Sequence, residues 1–599
     1  MPEPARKWSP TIYPLVIVAV SCVILLPNLG ATRLWDMDEA LYSSVAREMY
    51  QRDNWVVPWF NGELFPEKPP LMFWTMIGGF KLFGVNELGA RFFSPLLGIA
   101  TALVAFHLGR LLFSAQVGLW AGLATCSTIV FTISARAATV DAALALVTAL
   151  AMLFFVLGRK TADHGDSQAE DVRFHSLRWP YAALMYTCMG LAVLAKGPVG
   201  MLLPLAAMGL YLLVVNGWRN ILRSVWQLRP FTAIAVIAVV ALPWYIEVGR
   251  QTDWEWPRKF FLEFNLRPFR QPIQSHGGVG STLVKLLFYL YHIPGVLFGF
   301  FPWSVFLVPA FVEMIRRIRN GSGPASTGDQ NPSRDAWREG CLLATCWFGV
   351  WFLFWSVCKT KLPHYLLPAY PALGLLVACW IDRWLGDGNH DDVRPWEMQN
   401  AWIATILAGL AIAIAVPIAT IYVLPGEATL GLVGLILVFG GAWCWWLNAR
   451  GQRQRAAMLF AATSAAFLTT VFGFAVLRVD RHQNAVPMIE AIHANWGKRP
   501  SAPPIATYGL FRESTVYYAG WPVTRCNDDP EKGIPRRQKL RDFVAEHAVS
   551  YVITSSEDEA EVKAAMPGAF RVIFRQRRFM TPASSKSREM VVLRATRKP

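Results

Sequence analysis

Tyr13 to Leu29 reads YPLVIVAVSCVILLPNL, an uncharged run behind a short stub carrying Arg6 and Lys7. A cleaved secretory leader has the same basic-then-apolar order. This run, however, is long for a leader's core and lacks a small-residue cleavage site, so it reads as a retained helix. Apolar runs recur at 94–113, 118–134, 142–158, 181–195, 201–215, 230–248, 293–315, 342–358, 365–385, 402–424, 430–446 and 456–477. With the first they make about thirteen spans of roughly 20 residues. The expected fold is an α-helical polytopic membrane protein.

Composition points the same way. Of 599 residues 54% are hydrophobic and 16% charged, with 26 Trp, 37 Phe and a mean hydropathy of +0.33. Soluble chains carry about 25% charged residues and could not hide so much apolar surface. Disorder, collagen, coiled coil and a disulfide scaffold are excluded by the same figures. Eight of the nine cysteines lie in or beside apolar runs and Cys526 stands alone, with no zinc-ligand spacing. The net charge of +16 is best matched by anionic lipid; no nucleic-acid partner is expected.

Threading alternately from a cytoplasmic N-terminus puts Arg159/Lys160, Arg219/Arg223/Arg229, Arg316/Arg317/Arg319/Arg334/Arg338 and Arg450/Arg453/Arg455 on the cytoplasmic side, as the positive-inside rule requires. An odd span count then sends the tail out of the cytoplasm. The expected organisation is a membrane domain over residues 1–477, with outer loops at 31–93 and 247–291 carrying interfacial helices, and a soluble domain over 478–599. Short β runs at 505–508, 551–554, 572–574 and 590–593, with a helical pattern at 485–496, make that tail a small α/β domain. No internal repeat is seen.

Chemistry-bearing residues gather on the outer side. LWDMDEALYSSVAREM (34–49) places Asp36, Asp38 and Glu39 where a helix begins. One carboxylate suffices to cap a helix, and three in four residues leave room for a general base or a cation site. FPEKPPL (65–71) sets Glu67 and Lys68 before a rigid Pro69–Pro70 turn, as an interfacial ion pair or as ligands for phosphate and a hydroxyl or cation. Arg136 and Asp141 flank a turn between spans, and Lys196 sits between apolar runs. Charges at membrane depth cost roughly 2.5–3.5 kcal/mol and must face a partner or a cavity; an Arg136–Asp141 pair is one solution. Arg258, Lys259, Arg267, Arg270 and His276, with Lys359, Lys361, His364 and Tyr365, form cationic outer clusters suited to an anionic lipid or phosphate substrate.

Together these pieces resemble the GT-C class of polyprenyl-phosphate-sugar glycosyltransferases, in particular the 4-amino-4-deoxy-L-arabinose (aminoarabinose) lipid A transferases and their protein-mannosyltransferase-like relatives. The resemblance rests on Asp38-Glu39 followed by Tyr42, AREM (46–49), NWVVPWFNG (54–62), EKPPL (67–71), Arg136 with Asp141, AKGPVG (195–200), FFPW (300–303) and KLPHYLLPAYPALG (361–374), in that order. It implies catalytic roles for Asp38 and Asp141. It also implies contact with the lipid phosphate or sugar through Glu39, Tyr42, Glu67, Lys68, Arg136, Lys196, Tyr365 and one of Arg267 or Arg270. No cofactor is otherwise required, and a divalent metal ion shared by Glu67 and His276 is left open. Where aminoarabinose transferases tend to carry Arg, this chain has Leu41, which leaves donor and acceptor identity open.

The expected activity is inverting transfer of a sugar from undecaprenyl phosphate to an envelope acceptor at the periplasmic face of the inner membrane, by a monomer among membrane lipids. Aminoarabinose to lipid A leads; transfer to protein or another glycan is the alternative. A lipid-linked-sugar flippase would also place charge at depth, but it offers no reason for these charges to collect at one face.

Overall fold

The computed structural model describes residues 10–159, 177–266, 290–320, 334–386, 395–483, 485–528, 533–577 and 589–596. All of the apolar runs are helical. Among the described residues nine helices are long and apolar enough to cross a membrane, and eleven spans result if two bent pairs count as one each. Tyr13–Leu25 and Trp179–Lys196 supply the other two runs. The chain is a multi-pass membrane protein.

The two bent pairs are where structure departs from an unbroken reading of 118–134 and 293–315. Ala115–Cys126 and Ile129–Arg136 meet at 66°, His292–Gly299 and Trp303–Arg319 at 114°. The breaks satisfy each other: Ile129 N donates to the Phe301 carbonyl (3.0 Å), and Trp303 Nε1 donates to Ser127 Oγ (2.8 Å). Backbone freed from one helix in an apolar medium must find a partner in another. Periodicity carries no trace of such a pairing.

Inside the bundle, Trp303, Phe306, Trp380, Trp402 and Phe460 interlock, with Phe306 stacked on Trp380 at 5.3 Å and edge-on to Trp402 at 5.8 Å. Lipid tails are as apolar as leucine, so close packing holds these helices together. Gly109 and Gly118 show how close: a Cβ on Gly109 would stand 2.6 Å from the Gly118 Cα. At one end of the bundle Arg159 pairs with Glu339, Tyr211 donates to Glu339 (3.2 Å) and Arg453 donates to the Trp384 carbonyl (3.0 Å). These are ends that the positive-inside reading groups together.

The opposite end carries the outer loop and the tail. Helices Asp38–Gln51 and Leu71–Phe83 enclose a two-residue hairpin, β1 (Trp59–Phe60) and β2 (Glu63–Leu64). In the tail β3 (Ile505–Tyr508), β4 (Thr524–Cys526), β5 (Val549–Ser555), β6 (Phe570–Arg577) and β7 (Glu589–Thr596) form a sheet of order β4-β3-β5-β7-β6. β3 runs parallel to β4 and β5, whereas β7 is antiparallel to β5 and β6. The four expected β runs and the helix, Val486–Trp496, are present. β4 was not anticipated; it is three residues long and half exposed, so it has no apolar run to betray it.

Alternation sorts the sheet's faces. Val552, Val591 and Leu593 face Leu540, Phe543 and Val562 of the tail's own helices, while Tyr551, Ile553, Met590 and Val592 join a core with Tyr42, Val45, Phe73 and Met76 of the outer loop. The tail and the outer loop therefore share one hydrophobic layer. At its edge helix Leu71–Phe83 presses on Glu87–Arg91, and a Cβ on Gly79 would fall 1.9 Å from the Gly89 carbonyl oxygen.

Candidate active site

The acidic trio at the start of helix Asp38–Gln51 is divided among three tasks. Asp36 turns to the tail, where it pairs with Arg512 and accepts from Ser514 N at 3.1 Å. Glu39 turns inward. Its oxygens take Arg91 Nε (2.7 Å) and Nη2 (2.8 Å), Trp35 N (3.0 Å) and Ala138 N (3.0 Å), and Arg91 also holds the carbonyls of Leu29, Thr32 and Arg33. Burial pushes the Glu39 carboxyl up, but Arg91 and the two backbone donors outweigh it and hold the net value below the usual range. Glu39, expected to touch substrate, is instead the fixed point of the loop. Asp38 is left for Tyr42, one helical turn on, where burial and the Asp38 charge hold the hydroxyl above its ordinary value.

Around Asp38 the second motif closes in. Pro69 and Pro70 end the extended segment and Leu71 begins the next helix, which pins Glu67 and Lys68 at its mouth. Lys68 Nζ lies 6.0 Å from the centre of the Tyr42 ring and, among the described residues, forms no direct ion pair. Burial lowers the Lys68 ammonium below its ordinary value and Glu67 partly restores it. Burial raises the Glu67 carboxyl, with Lys68 opposing and Asp38 reinforcing. Tyr42 is held well above its usual value by burial and by Asp38, Asp141 and Glu67.

The far wall comes from the membrane helices. Asp141, first residue of Asp141–Gly158, receives Lys196 Nζ at 2.8 Å and faces His364 Nε2 at 3.8 Å. Lys196 Nζ also sits 4.7 Å from the centre of the Tyr365 ring. Asp38, Glu67, Lys196 and Asp141 all lie within electrostatic reach of Lys68, and His364 and Tyr365 lie within reach of Asp38. Eight groups from separate stretches of the chain are thus brought into one charged cluster, in which Lys196 is paired with Asp141 and Lys68 lies by Tyr42.

Of the sequence-derived candidates, Asp38, Tyr42, Glu67, Lys68, Asp141, Lys196 and Tyr365 converge. Arg136 does not. It donates to the carbonyls of Ile24 (3.1 Å), Leu25 (2.8 Å) and Pro27 (2.7 Å), closing the C-terminal end of the first helix. Unpaired carbonyls at a helix end attract a cation, so Arg136 neither pairs with Asp141 nor lines the cavity. Arg267, Arg270 and His276 lie outside the described residues, as does the Glu67–His276 cation pair. Among the described residues no three His, Cys, Asp or Glu side chains group as metal ligands. His364 was visible as part of a cationic cluster, yet only the fold shows it beside Asp141. Lys361 of that cluster caps the helix ending at Val357 through the Trp355 (3.3 Å) and Ser356 carbonyls.

The tail's share was not legible. Arg525 on β4 stacks on Phe511, 3.7 Å from its ring centre, with Glu63, Glu67 and Glu513 in electrostatic reach. Asn61 exchanges two hydrogen bonds with the Val523 backbone (2.9 and 2.7 Å), and Leu34 N donates to the Tyr518 hydroxyl (2.7 Å). The donors and acceptors concerned are backbone atoms and common side chains with no pattern of their own.

Residues 11–252 match the family described as dolichyl-phosphate-mannose-protein mannosyltransferase. An uncharacterized protein of Aquifex aeolicus is 25% identical over 402 residues, 67% of this chain and 69% of that protein. The undecaprenyl phosphate-alpha-4-amino-4-deoxy-L-arabinose arabinosyl transferase of Pectobacterium atrosepticum is 26% identical over 71% of this chain and 69% of its own length. Its counterpart in Edwardsiella ictaluri is 28% identical over 59% and 57%. Among solved structures, ArnT from Cupriavidus metallidurans bound to undecaprenyl phosphate superposes with a TM-score of 0.74 at 22% identity, covering 98% of this chain and 97% of that one. The architecture is shared from end to end, tail included.

Proposed function

We propose that this chain is a GT-C polyprenyl-phosphate-sugar glycosyltransferase of the aminoarabinose-transferase and protein-mannosyltransferase-like kind, a reading supported by its similarity to both, and that it transfers 4-amino-4-deoxy-L-arabinose from undecaprenyl phosphate to lipid A at the periplasmic face of the inner membrane. The observation that carries this reading is the Lys68 ammonium, which forms no direct ion pair among the described residues and lies within electrostatic reach of Asp38, Asp141 and Lys196. Breaking the anomeric C–O bond of a lipid-linked sugar leaves its electron pair on phosphate oxygen. A preorganised cation in a water-poor site lowers the barrier to that charge. Lys196 is committed to Asp141, so Lys68 is assigned to the phosphate. Asp141 with His364 keeps Lys196 oriented along the wall.

Asp38 lies within electrostatic reach of Lys68. Toward a hydroxyl acceptor it serves as general base. A lipid A phosphate is already ionised and needs no base, and Asp38 then stabilises positive charge developing on the sugar ring. Asp141 takes the second catalytic role through Lys196. Transfer to protein or to another envelope glycan uses the same donor half-site with a different acceptor, and Leu41 is the observation that favours keeping this second reading. The division into a membrane domain (1–477) and a periplasmic domain (478–599), and a monomeric state, are part of the proposal.

The test is reconstitution. Wild-type protein in proteoliposomes is given a panel of undecaprenyl-phosphate-linked sugars with lipid A or an envelope extract, and free undecaprenyl phosphate is quantified. Aminoarabinose with lipid A is expected to release it, and Asp38→Asn to abolish release while the protein stays folded. A fully active Asp38→Asn protein removes Asp38 from the chemistry. Consumption of another donor alone reassigns the sugar.

A further inference from the structure

Asp38 is held in place from the far end of the chain. The residue before it, Met37, is neither glycine nor asparagine, yet it adopts φ 67° and ψ −128°. Such a conformation is sterically costly for a side chain with a Cβ and persists only where its surroundings enforce it. Here the enforcing contacts come from the tail. Glu513 Oε2 accepts from Met37 N (3.3 Å), Arg512 pairs with Asp36, and Ser514 N donates to the other Asp36 oxygen (3.1 Å). Arg512 Nη2 also donates to the Gln483 carbonyl (2.8 Å) at the end of the last membrane helix. The guanidinium is thereby anchored to the bundle while it grips Asp36. Helix Asp38–Gln51 is tied to the tail's helix Glu513–Ala519 again further along, where Arg47 donates to the Val516 (3.2 Å) and Tyr517 carbonyls.

From these contacts we infer that Arg512 and Glu513 are positioning residues for transfer: they fix residues 36 and 37 in a strained turn that aims Asp38 at the charged cluster around Lys68. This inference rests on the reading that Asp38 acts in transfer. Neither residue touches substrate. Glu39 clamps the turn from below through Arg91, and Arg512 clamps it from above, so Asp38 lies between two ion pairs made by its neighbours at positions 36 and 39. Releasing the upper clamp lets the turn relax toward ordinary φ and swings the first residue of the helix away from Lys68. The docked tail is then a working part of the site rather than an appended module.

The experiment compares wild type, Arg512→Gln, Arg512→Lys, Asp38→Asn and the Arg512→Gln/Asp38→Asn double variant in proteoliposomes, using the donor of the above panel that wild type consumes. Arg512→Gln is expected to lower kcat at least tenfold while KM for the donor stays within about twofold, with Arg512→Lys recovering most of the loss. Asp38→Asn abolishes transfer, alone or in the double variant, so positioning is told from a general loosening of the fold by the kcat-against-KM split and by recovery in Arg512→Lys. Amide hydrogen exchange is read on the same samples, and in Arg512→Gln it should rise at residues 36–40 but not in the membrane helices. If Arg512→Gln yields no folded protein, Asp36→Asn opens the same pair from the other side. An inactive Asp38→Asn beside an Arg512→Gln with unchanged kcat and unchanged exchange at 36–40 overturns the inference and leaves the transferase reading standing. A fully active Asp38→Asn overturns that reading instead, and the exchange result still reports whether the clamp orders the turn.

Discussion

Glu67 and Lys68 stand side by side in the chain and pull on each other's protons in opposite senses. Lys68 is driven toward the neutral form by burial, and the Glu67 charge is the largest influence returning it to the ammonium. If the ammonium is what meets the leaving phosphate, activity must fall as pH rises through the Lys68 value, which already lies below that of a free lysine. Glu67→Gln removes the supporting charge and lowers the Lys68 value further. The alkaline limb of the kcat profile is therefore expected at lower pH in Glu67→Gln than in wild type, read from initial rates across a pH series. An unmoved or upward-shifted limb would detach Lys68 from the rate. Burial also holds Glu67 itself above the ordinary glutamate value, so in wild type this support is lost on the acid side sooner than an exposed carboxylate would lose it.

At the scale of elements, the helices that carry these residues are set by contacts leaving no room for adjustment. Gly79 lies in Leu71–Phe83, the helix whose first turn follows the Glu67–Lys68 pair, and its missing side chain admits the Gly89 carbonyl. Overpacking costs typically about 1–3 kcal/mol, and here the opposing atom is backbone that cannot rotate aside. Gly79→Ala is expected to lower the unfolding temperature in detergent and to weaken transfer by shifting the mouth of the site; a variant with wild-type values of both would show that the two helices have slack. Such contacts mark the limit of what the sequence reveals. The apolar runs were legible because a bilayer imposes one length and one composition, and four tail strands were legible because their apolar runs are short and bounded by turns. The two breaks at Ser127–Thr128 and Phe300–Pro302 were not, since each exists only because the other is there to receive its hydrogen bonds. Within the site, Asp38, Lys68 and Asp141 stood out as charges needing a partner. That Glu39 spends its charge on Arg91 and Arg136 its own on backbone carbonyls, and that Arg512 faces Asp36, depends on placements 52 to 476 residues away that no local pattern records.

For the whole molecule, charge is sorted by end. The arginines expected to face the cytoplasm meet at one end of the bundle through Arg159–Glu339 and Arg453–Trp384, and Asp38, Lys68, Asp141 and the tail gather at the other. The threading makes a direct prediction about sidedness. Thr524 is exposed on β4, and the described native cysteines are buried or half-buried. A cysteine introduced by Thr524→Cys is expected to react with a membrane-impermeant maleimide in intact spheroplasts. Labelling that requires lysed membranes would invert the topology and put the transfer site in the cytoplasm.

The layer joining tail to outer loop has a consequence for how the protein comes into being. Tyr42, Phe73 and Met76 are made early, and Tyr551, Met590 and Val592, which cover them, are made only after the last membrane helix. Chains emerge from the amino end at about 5–20 residues per second. Until the covering strands arrive, the nascent protein holds its outer loop unroofed. Only when the final strand docks can residues 36 and 37 be gripped and Asp38 be aimed. Translation itself acts as a timer, and a chain stopped just after its last membrane helix would hold its bundle with Asp38 unaimed.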